Sequence, residues 1–308
     1  GGSGAGTAGA GGNGDGGNAP GVCAEPSAGP FEAKLRWAKT STSASEALAT
    51  GVAYGEAGDL FVAGFYREGT LQIKTDVMEH LGDSYSGDIF LARYAADTGE
   101  PTWATGFPAV GNEVAFDIAT DKTTNDLVVT GLFDADFSFG GPTSTLTAQG
   151  FADVFVARFD KNGQALWSRS FGNAEDQIGM RVAVDSQGNT LLAVLGLGAL
   201  DFGDGPKGDE GYAGFWLTKL DPEGTTLWTK YDQTAYYEGL FAGLAVDADD
   251  NIAITGMASS AVFDNEDGFL GDGLQTLVDG GDDGQAAKFD VLLFEDDLKI
   301  PADRIHRI

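Results

Sequence analysis

The chain has a single cysteine, Cys23, and two histidines, His80 and His306. One thiol closes no internal disulfide, and this inventory cannot build a zinc centre of His and Cys ligands. A Ser–His–Asp triad would have to draw its base from those two positions alone. Basic residues are also scarce: 18 Lys and Arg stand against 47 Asp and Glu in 308 residues, a formal net charge of -29. So acidic a chain repels phosphate backbones and anionic headgroups, which sets nucleic acid and lipid surfaces aside as partners and leaves divalent cations and basic surfaces. No apolar run is long enough to span a bilayer; the longest, around Leu191 to Leu200, is broken by glycine. A helical period of 3.6 is nowhere sustained. The chain does not begin with Met and shows no signal peptide, so removal of a natural amino end is expected.

What the chain has in excess is glycine, 47 in all, concentrated at its start. Residues 1–30 bury no face and read as a flexible tether that would hold a domain off a cell surface. Residues 31–295 repeat. Trp37, Trp103, Trp167 and Trp228 stand 66, 64 and 61 residues apart, preceded by DIFLARYAADTGEPTW, DVFVARFDKNGQALW and GFWLTKLDPEGTTLW at the last three. Between them recurs a second block, GVAYGEAGDLFVAGFY, FDIATDKTTNDLVVTGLF, RVAVDSQGNTLLAVLG and LAVDADDNIAITGM. Residues 296–308 lose the pattern and form an irregular tail.

Each unit holds four short runs rich in Val, Ile, Leu, Phe and Ala, separated by Asp-x-x-Gly or Gly-Asn turns, so each run is a strand and each pair a hairpin. In DVFVARF both faces are apolar: Phe155, Ala157 and Phe159 point one way, Val154 and Val156 the other. A sheet wet on one side would alternate apolar with polar. Sheets packed on both sides and repeated at this period predict an all-β propeller of four-stranded antiparallel blades. The chain opens on a lone Trp-strand and ends on a lone DVLLF strand at 290–294. Pairing of the first with the last would close a ring of four blades. The alternative is a partial ring of a larger propeller.

The string from Asp153 to Gly172, with Val182 to Asn189, resembles the bacterial seven-bladed β-propeller repeat, and the resemblance extends over roughly residues 31–295. It implies secreted or surface-anchored bacterial proteins with no general catalytic residues to carry over. This sequence departs from it in showing four units. The leader looks like the tether of bacterial surface lipoproteins, although Cys23 does not follow an apolar lipobox run. ARYAADTGEPTW also resembles the tryptophan-docking motif of quinoprotein dehydrogenases, and the Asp-x-x-Gly-x-x-x-Trp hairpins resemble sialidase Asp-boxes. Both are scaffold motifs, and a sialidase would need an arginine cluster that so acidic a chain does not favour.

A Trp repeated at one place in every unit reads as packing between blades rather than a ligand platform. Glu46, Glu113, Asp176 and Glu238 each stand just ahead of the presumed innermost strand, and four carboxylates around one channel mouth would suit Ca²⁺. Asp185, Gly188, Asn189, Asp247 and Asn251 read as turn chemistry. His80 and His306 have no recurring carboxylate beside them in the repeat. The loops 74–87, 141–152 and 258–288 depart most from the pattern and form the expected recognition surface. The expectation is a non-catalytic, surface-tethered binding or scaffold module for an unknown protein or glycan. The rival is a quinoprotein-like or glycan-processing enzyme working at the channel mouth.

Overall fold

The computed structural model describes residues 36–43, 46–234, 240–258 and 288–294. Among them are strands, turns and a single 3-10 turn, Glu56–Gly58; no helix is long and apolar enough to cross a membrane. The strands are β1 (Thr42–Ser43), β2 (Glu46–Tyr54), β3 (Asp59–Arg67), β4 (Thr70–Ile73), β5 (Asp76–Glu79), β6 (Asp88–Ala95), β7 (Pro101–Phe107), β8 (Val114–Thr120), β9 (Leu127–Phe133), β10 (Asp153–Phe159), β11 (Ala165–Phe171), β12 (Gln177–Val184), β13 (Thr190–Leu197), β14 (Leu200–Asp201), β15 (Pro206–Lys207), β16 (Ala213–Leu220), β17 (Thr226–Thr234), β18 (Leu240–Val246), β19 (Ile252–Ala258) and β20 (Lys288–Phe294).

Three four-stranded antiparallel sheets follow one another: β2-β3-β6-β7, β8-β9-β10-β11 and β12-β13-β16-β17. A fourth, β18-β19-β20, has three strands. We number them sheets 1 to 4. The architecture is all-β and propeller-like. The repeat extends to irregularities. The first strand of each sheet bulges at one place, between Ala49 and Gly51, Ala115 and Asp117, Gly179 and Arg181, Phe241 and Gly243. A bulge adds local twist, so its recurrence gives the four first strands one shape.

The two-faced apolar pattern becomes a stack. One face of sheet 1, Phe61, Ala63, Ile89 and Leu91, packs on the near face of sheet 2, including Val129, Phe155 and Phe159. The far face of sheet 2, Val128, Val154 and Val156, packs on Leu192, Val194 and Trp216 of sheet 3. Leu191, Ala193 and Leu217 then meet Ile252 and Ile254 of sheet 4. Hydrogen bonds tie neighbouring first strands: Thr50 Oγ1 donates to Ala115 O at 2.7 Å, and the Val182 amide donates to Asp117 Oδ2 at 3.0 Å.

Sheet 1 keeps one face without a preceding sheet among the described residues. Val52 is 62% exposed there, while its counterpart Ile118 in sheet 2 is 4% exposed. A cavity of about 310 Å³ lies on this face, bounded by Trp37, Ala47, Leu60, Val62, Phe90 and Tyr94. Residues 36–40 carry no strand assignment, and the ladder given for β20 joins it to β19.

Trp37, Trp103 and Trp167 reach forward. Trp103 Nε1 donates to Lys161 O (3.2 Å) in the β10–β11 turn of sheet 2, and Trp167 Nε1 to Pro222 O (2.8 Å) in the β16–β17 turn of sheet 3. Trp37 Nε1 donates to Ala96 O (2.9 Å) in the β6–β7 turn of sheet 1. Trp37 thus stands to sheet 1 as Trp103 stands to sheet 2. The turns present Gly99, Gly163 and Gly224 at φ of 69°, 80° and 80°. A Cβ at Gly163 or Gly224 would come within 3.1 Å or 3.0 Å of the tryptophan ring, so glycine supplies both the positive φ and the close approach.

Third-strand cations bonded to carboxylates repeat as well. Arg158 of β10 bonds Asp121 and, at 3.0 Å, Asp126; Arg93 bonds Asp59 at 2.7 Å; Lys219 bonds Asp185 at 2.9 Å. Burial raises the Asp121 carboxyl, but the Thr123 and Thr124 amides and the Arg158 guanidinium outweigh it and hold it below the usual range. Asp185 is likewise held low, burial being outweighed by Lys219 and Asn189.

Candidate functional site

Antiparallel order sorts the connections into two ends. First-to-second and third-to-fourth strand turns lie at one end; second-to-third and sheet-to-sheet connections lie at the other. The first end is built of short Asp turns. Asp160 Oδ1 accepts from the Asn162 and Gln164 amides, and Asp185 Oδ1 from those of Gln187 and Asn189. The second end carries the long connections, including 74–87 and 141–152. Of 258–288, residues 259–287 lie outside the described residues.

The long connections fold back as small excursions. β4 pairs with β1 on one side and β5 on the other, β14 pairs with β15, and Phe137 bridges Leu146. They bury Leu71, Ile73 and Met78 on sheet 1, Phe137, Phe139 and Leu146 between sheets 1 and 2, and Leu200 and Phe202 against sheets 2 and 3. The loops read as variable surface are therefore half anchored.

From these anchored bases three aromatic rings project outward. Tyr85 precedes β6 and is 85% exposed; Phe151 precedes β10 and is 77% exposed; Tyr212 precedes β16 and is 53% exposed. All three stand just ahead of the third strand of successive sheets. The Tyr85 amide donates to Asp83 Oδ1 at 2.9 Å, which fixes the turn beneath its ring. Acidic side chains surround the positions: Asp83, Asp134, Asp136, Asp209 and Glu210 belong to the same connections, where Lys74 and Lys207 are the Lys or Arg residues among the described ones.

His80 lies in this region with a carboxylate that the repeat did not reveal. Its Nδ1 is 2.9 Å from Asp88 Oδ2, and its Nε2 is 3.0 Å from Asp83 O and 3.4 Å from Ser86 Oγ. The order Ser86–His80–Asp88 imitates a hydrolytic triad. The Ser86 hydroxyl, however, donates to Asp83 O at 2.8 Å, and Nε2 faces the same carbonyl. A nitrogen donating to a carbonyl cannot accept a serine proton, so the trio clamps the 80–87 turn. Asp88 also accepts from the amides of Leu81 (2.8 Å) and Ala109 (3.0 Å); burial nonetheless pushes its carboxyl up.

The four carboxylates expected at a channel mouth meet different fates. Glu46 is exposed and 3.4 Å from Arg67. Asp176 is half-buried, and its backbone accepts from Leu197 at 3.0 Å. Glu238 lies outside the described residues. Glu113 is fully buried, and neither carboxylate oxygen has a hydrogen-bond partner. Burial first, then the charges of Asp88 and Asp134, push it up to about 8 against a small opposing pull from its own amide. Among the described residues no three His, Cys, Asp or Glu side chains are grouped to hold a metal ion. Arg67 is taken up by Glu46 and lies 4.9 Å over the Phe65 ring.

No family profile matches the chain. Over 145 residues, 44% of the chain, it is 25% identical to an uncharacterized WD repeat-containing protein, L264, of Acanthamoeba polyphaga mimivirus. The matched stretch covers 10% of that protein's length. This distant, partial likeness to a WD-repeat protein agrees with the repeated four-stranded sheets in supporting a propeller-like repeat fold.

Proposed function

We propose that the chain is a non-catalytic binding module, a four-bladed propeller-like ring that takes a protein or glycan ligand on the end of its sheets bearing the long connections. The observation that carries this reading is the recurrence of Tyr85, Phe151 and Tyr212 as exposed rings in the last few residues ahead of the third strand in three successive sheets. Exposed aromatics on anchored turns supply large contact area at little entropic cost, which suits recognition. Trp37, docked on sheet 1 as a preceding fourth strand would be, supports closure of the ring by the amino-terminal segment. The glycine-rich residues 1–30 and the resemblance to the seven-bladed repeat favour a bacterial protein tethered at the cell surface.

The test is a screen of the full chain against glycan and peptide arrays, repeated with Tyr85, Phe151 and Tyr212 replaced together by Ala. Ligands retained by the native chain should be lost by the triple variant and kept by Trp103→Phe, which alters the opposite end. Ligands bound equally by the triple variant would refute the assignment of the face, and chemical turnover of a bound ligand would refute the non-catalytic reading.

A further inference from the structure

We infer that the carboxylates of Glu113 and Asp134 hold a small divalent cation beside Gly111, at the junction of sheets 1 and 2. Glu113 stands immediately before β8 and is 0% exposed. Both of its oxygens lack a hydrogen-bond partner. A buried carboxylate ordinarily collects two or more donors, and one without any carries its full desolvation cost. Asp134, just after β9, is exposed, and its Oδ1 is fixed by the Asn112 amide at 2.7 Å. The two groups converge on one point: a Cβ added at Gly111 would fall 2.6 Å from Glu113 Oε1 and 2.6 Å from Asp134 Oδ1. The Ala135 methyl group lies 2.6 Å from the same point, so the two oxygens and one methyl bound the space that glycine leaves without a side chain.

A proton on Glu113 would remove its charge but leave an O–H donor and an acceptor oxygen buried without partners. A cation satisfies both oxygens and offsets the neighbouring negative charge as well. Asp88 adds to that charge but gives no free ligand atom, since Leu81, Ala109 and His80 occupy its oxygens. The burial that drives the Glu113 carboxyl upward is the cost a cation would offset. All-oxygen donors select hard ions, Ca²⁺ or Mg²⁺. The site is local to one sheet junction and does not involve Glu46 or Asp176, unlike an axial ring.

The full chain, stripped with EDTA, is titrated with CaCl₂ and with MgCl₂ by calorimetry, and its thermal melting is followed in parallel. One of the two ions should bind saturably, and at a hundredfold excess over its Kd should raise the melting temperature by about 5 °C. Asp134→Asn, at an exposed side chain least able to disturb the fold, should abolish both the heat and the shift. Glu113→Gln should do the same. Glu46→Gln should retain the full response. Absence of saturable binding by the native chain overturns the inference, as does a response retained in either Asp134→Asn or Glu113→Gln, or one lost in Glu46→Gln.

Discussion

At the scale of single residues, the third-strand cations Arg93, Arg158 and Lys219 offset carboxylates that the chain's acidity would otherwise drive apart. Arg158 joins Asp121 and Asp126 inside sheet 2. Removing it leaves carboxylates buried without their counter-ion, which costs about 3 kcal/mol. Asp121 and Asp185 are held below the ordinary carboxylate range, so the stability they add is complete above the unfolded-state value and is lost as pH falls through the lower folded-state value. Arg158→Met should therefore lower the urea-unfolding free energy by about 3 kcal/mol at pH 7 and by clearly less near pH 3. An equal loss at both would show that Arg158 acts through packing rather than charge. The Asp turns were legible in the sequence because the donor amides lie two and four residues from the side chain that binds them. Arg158–Asp121 and His80–Asp88 were not. The first joins a residue of β10 to the turn after β8, and the second depends on a turn seen in sheet 1 alone among the described residues. In sequence Glu113 reads as one of four carboxylates expected at a channel mouth; its burial, which sets it apart from the other three, comes from the packing of two sheets.

At the scale of elements, strand existence and hairpin order follow from short apolar runs between Asp and Gly turns, and the structure places strands at them. Frame is less legible than existence. The ladder sets Asp290 opposite Gly256, where Phe155 stands opposite Gly131, so the Asp of DVLLF is not the counterpart of the Asp that opens DVFVARF. The pairings within the excursions are too short to show a period in sequence: β14 and β15 have two residues each, and Phe137–Leu146 is a single bridge. Yet Phe139 meets Phe107, Phe137, Phe155 and Phe159 with ring centroids 4.8–5.3 Å apart. Phe139→Ala should destabilise the chain by about 3–5 kcal/mol in urea unfolding. A loss below about 1 kcal/mol would mean that the excursion is a surface loop after all.

At the scale of the whole molecule, the described sheets share one rule: sheets 1 to 3 each present an apolar face to the next, and Trp103 and Trp167 of the fourth strands reach the next sheet's turn. The rule leaves one face of sheet 1 covered by the Trp37 segment and the β4–β5 excursion, and it leaves β20 with β19 as its described partner. Both are resolved together if residues 37–40 form the fourth strand of sheet 4. The register of the other sheets then fixes the partners. Trp103 opposes Arg93 and Trp167 opposes Arg158, and Leu293 occupies the place of Arg158, so Lys39 should oppose Val291 as Arg169 opposes Val156. Paired strands hold Cα atoms within the span a disulfide can bridge. The most direct measurement is oxidation of the Lys39→Cys/Val291→Cys chain in a Cys23→Ser background, read by mass spectrometry and gel mobility. The account predicts an intramolecular disulfide in a monomer that melts above its reduced form. Free thiols, or disulfides only between chains, would contradict the closed ring.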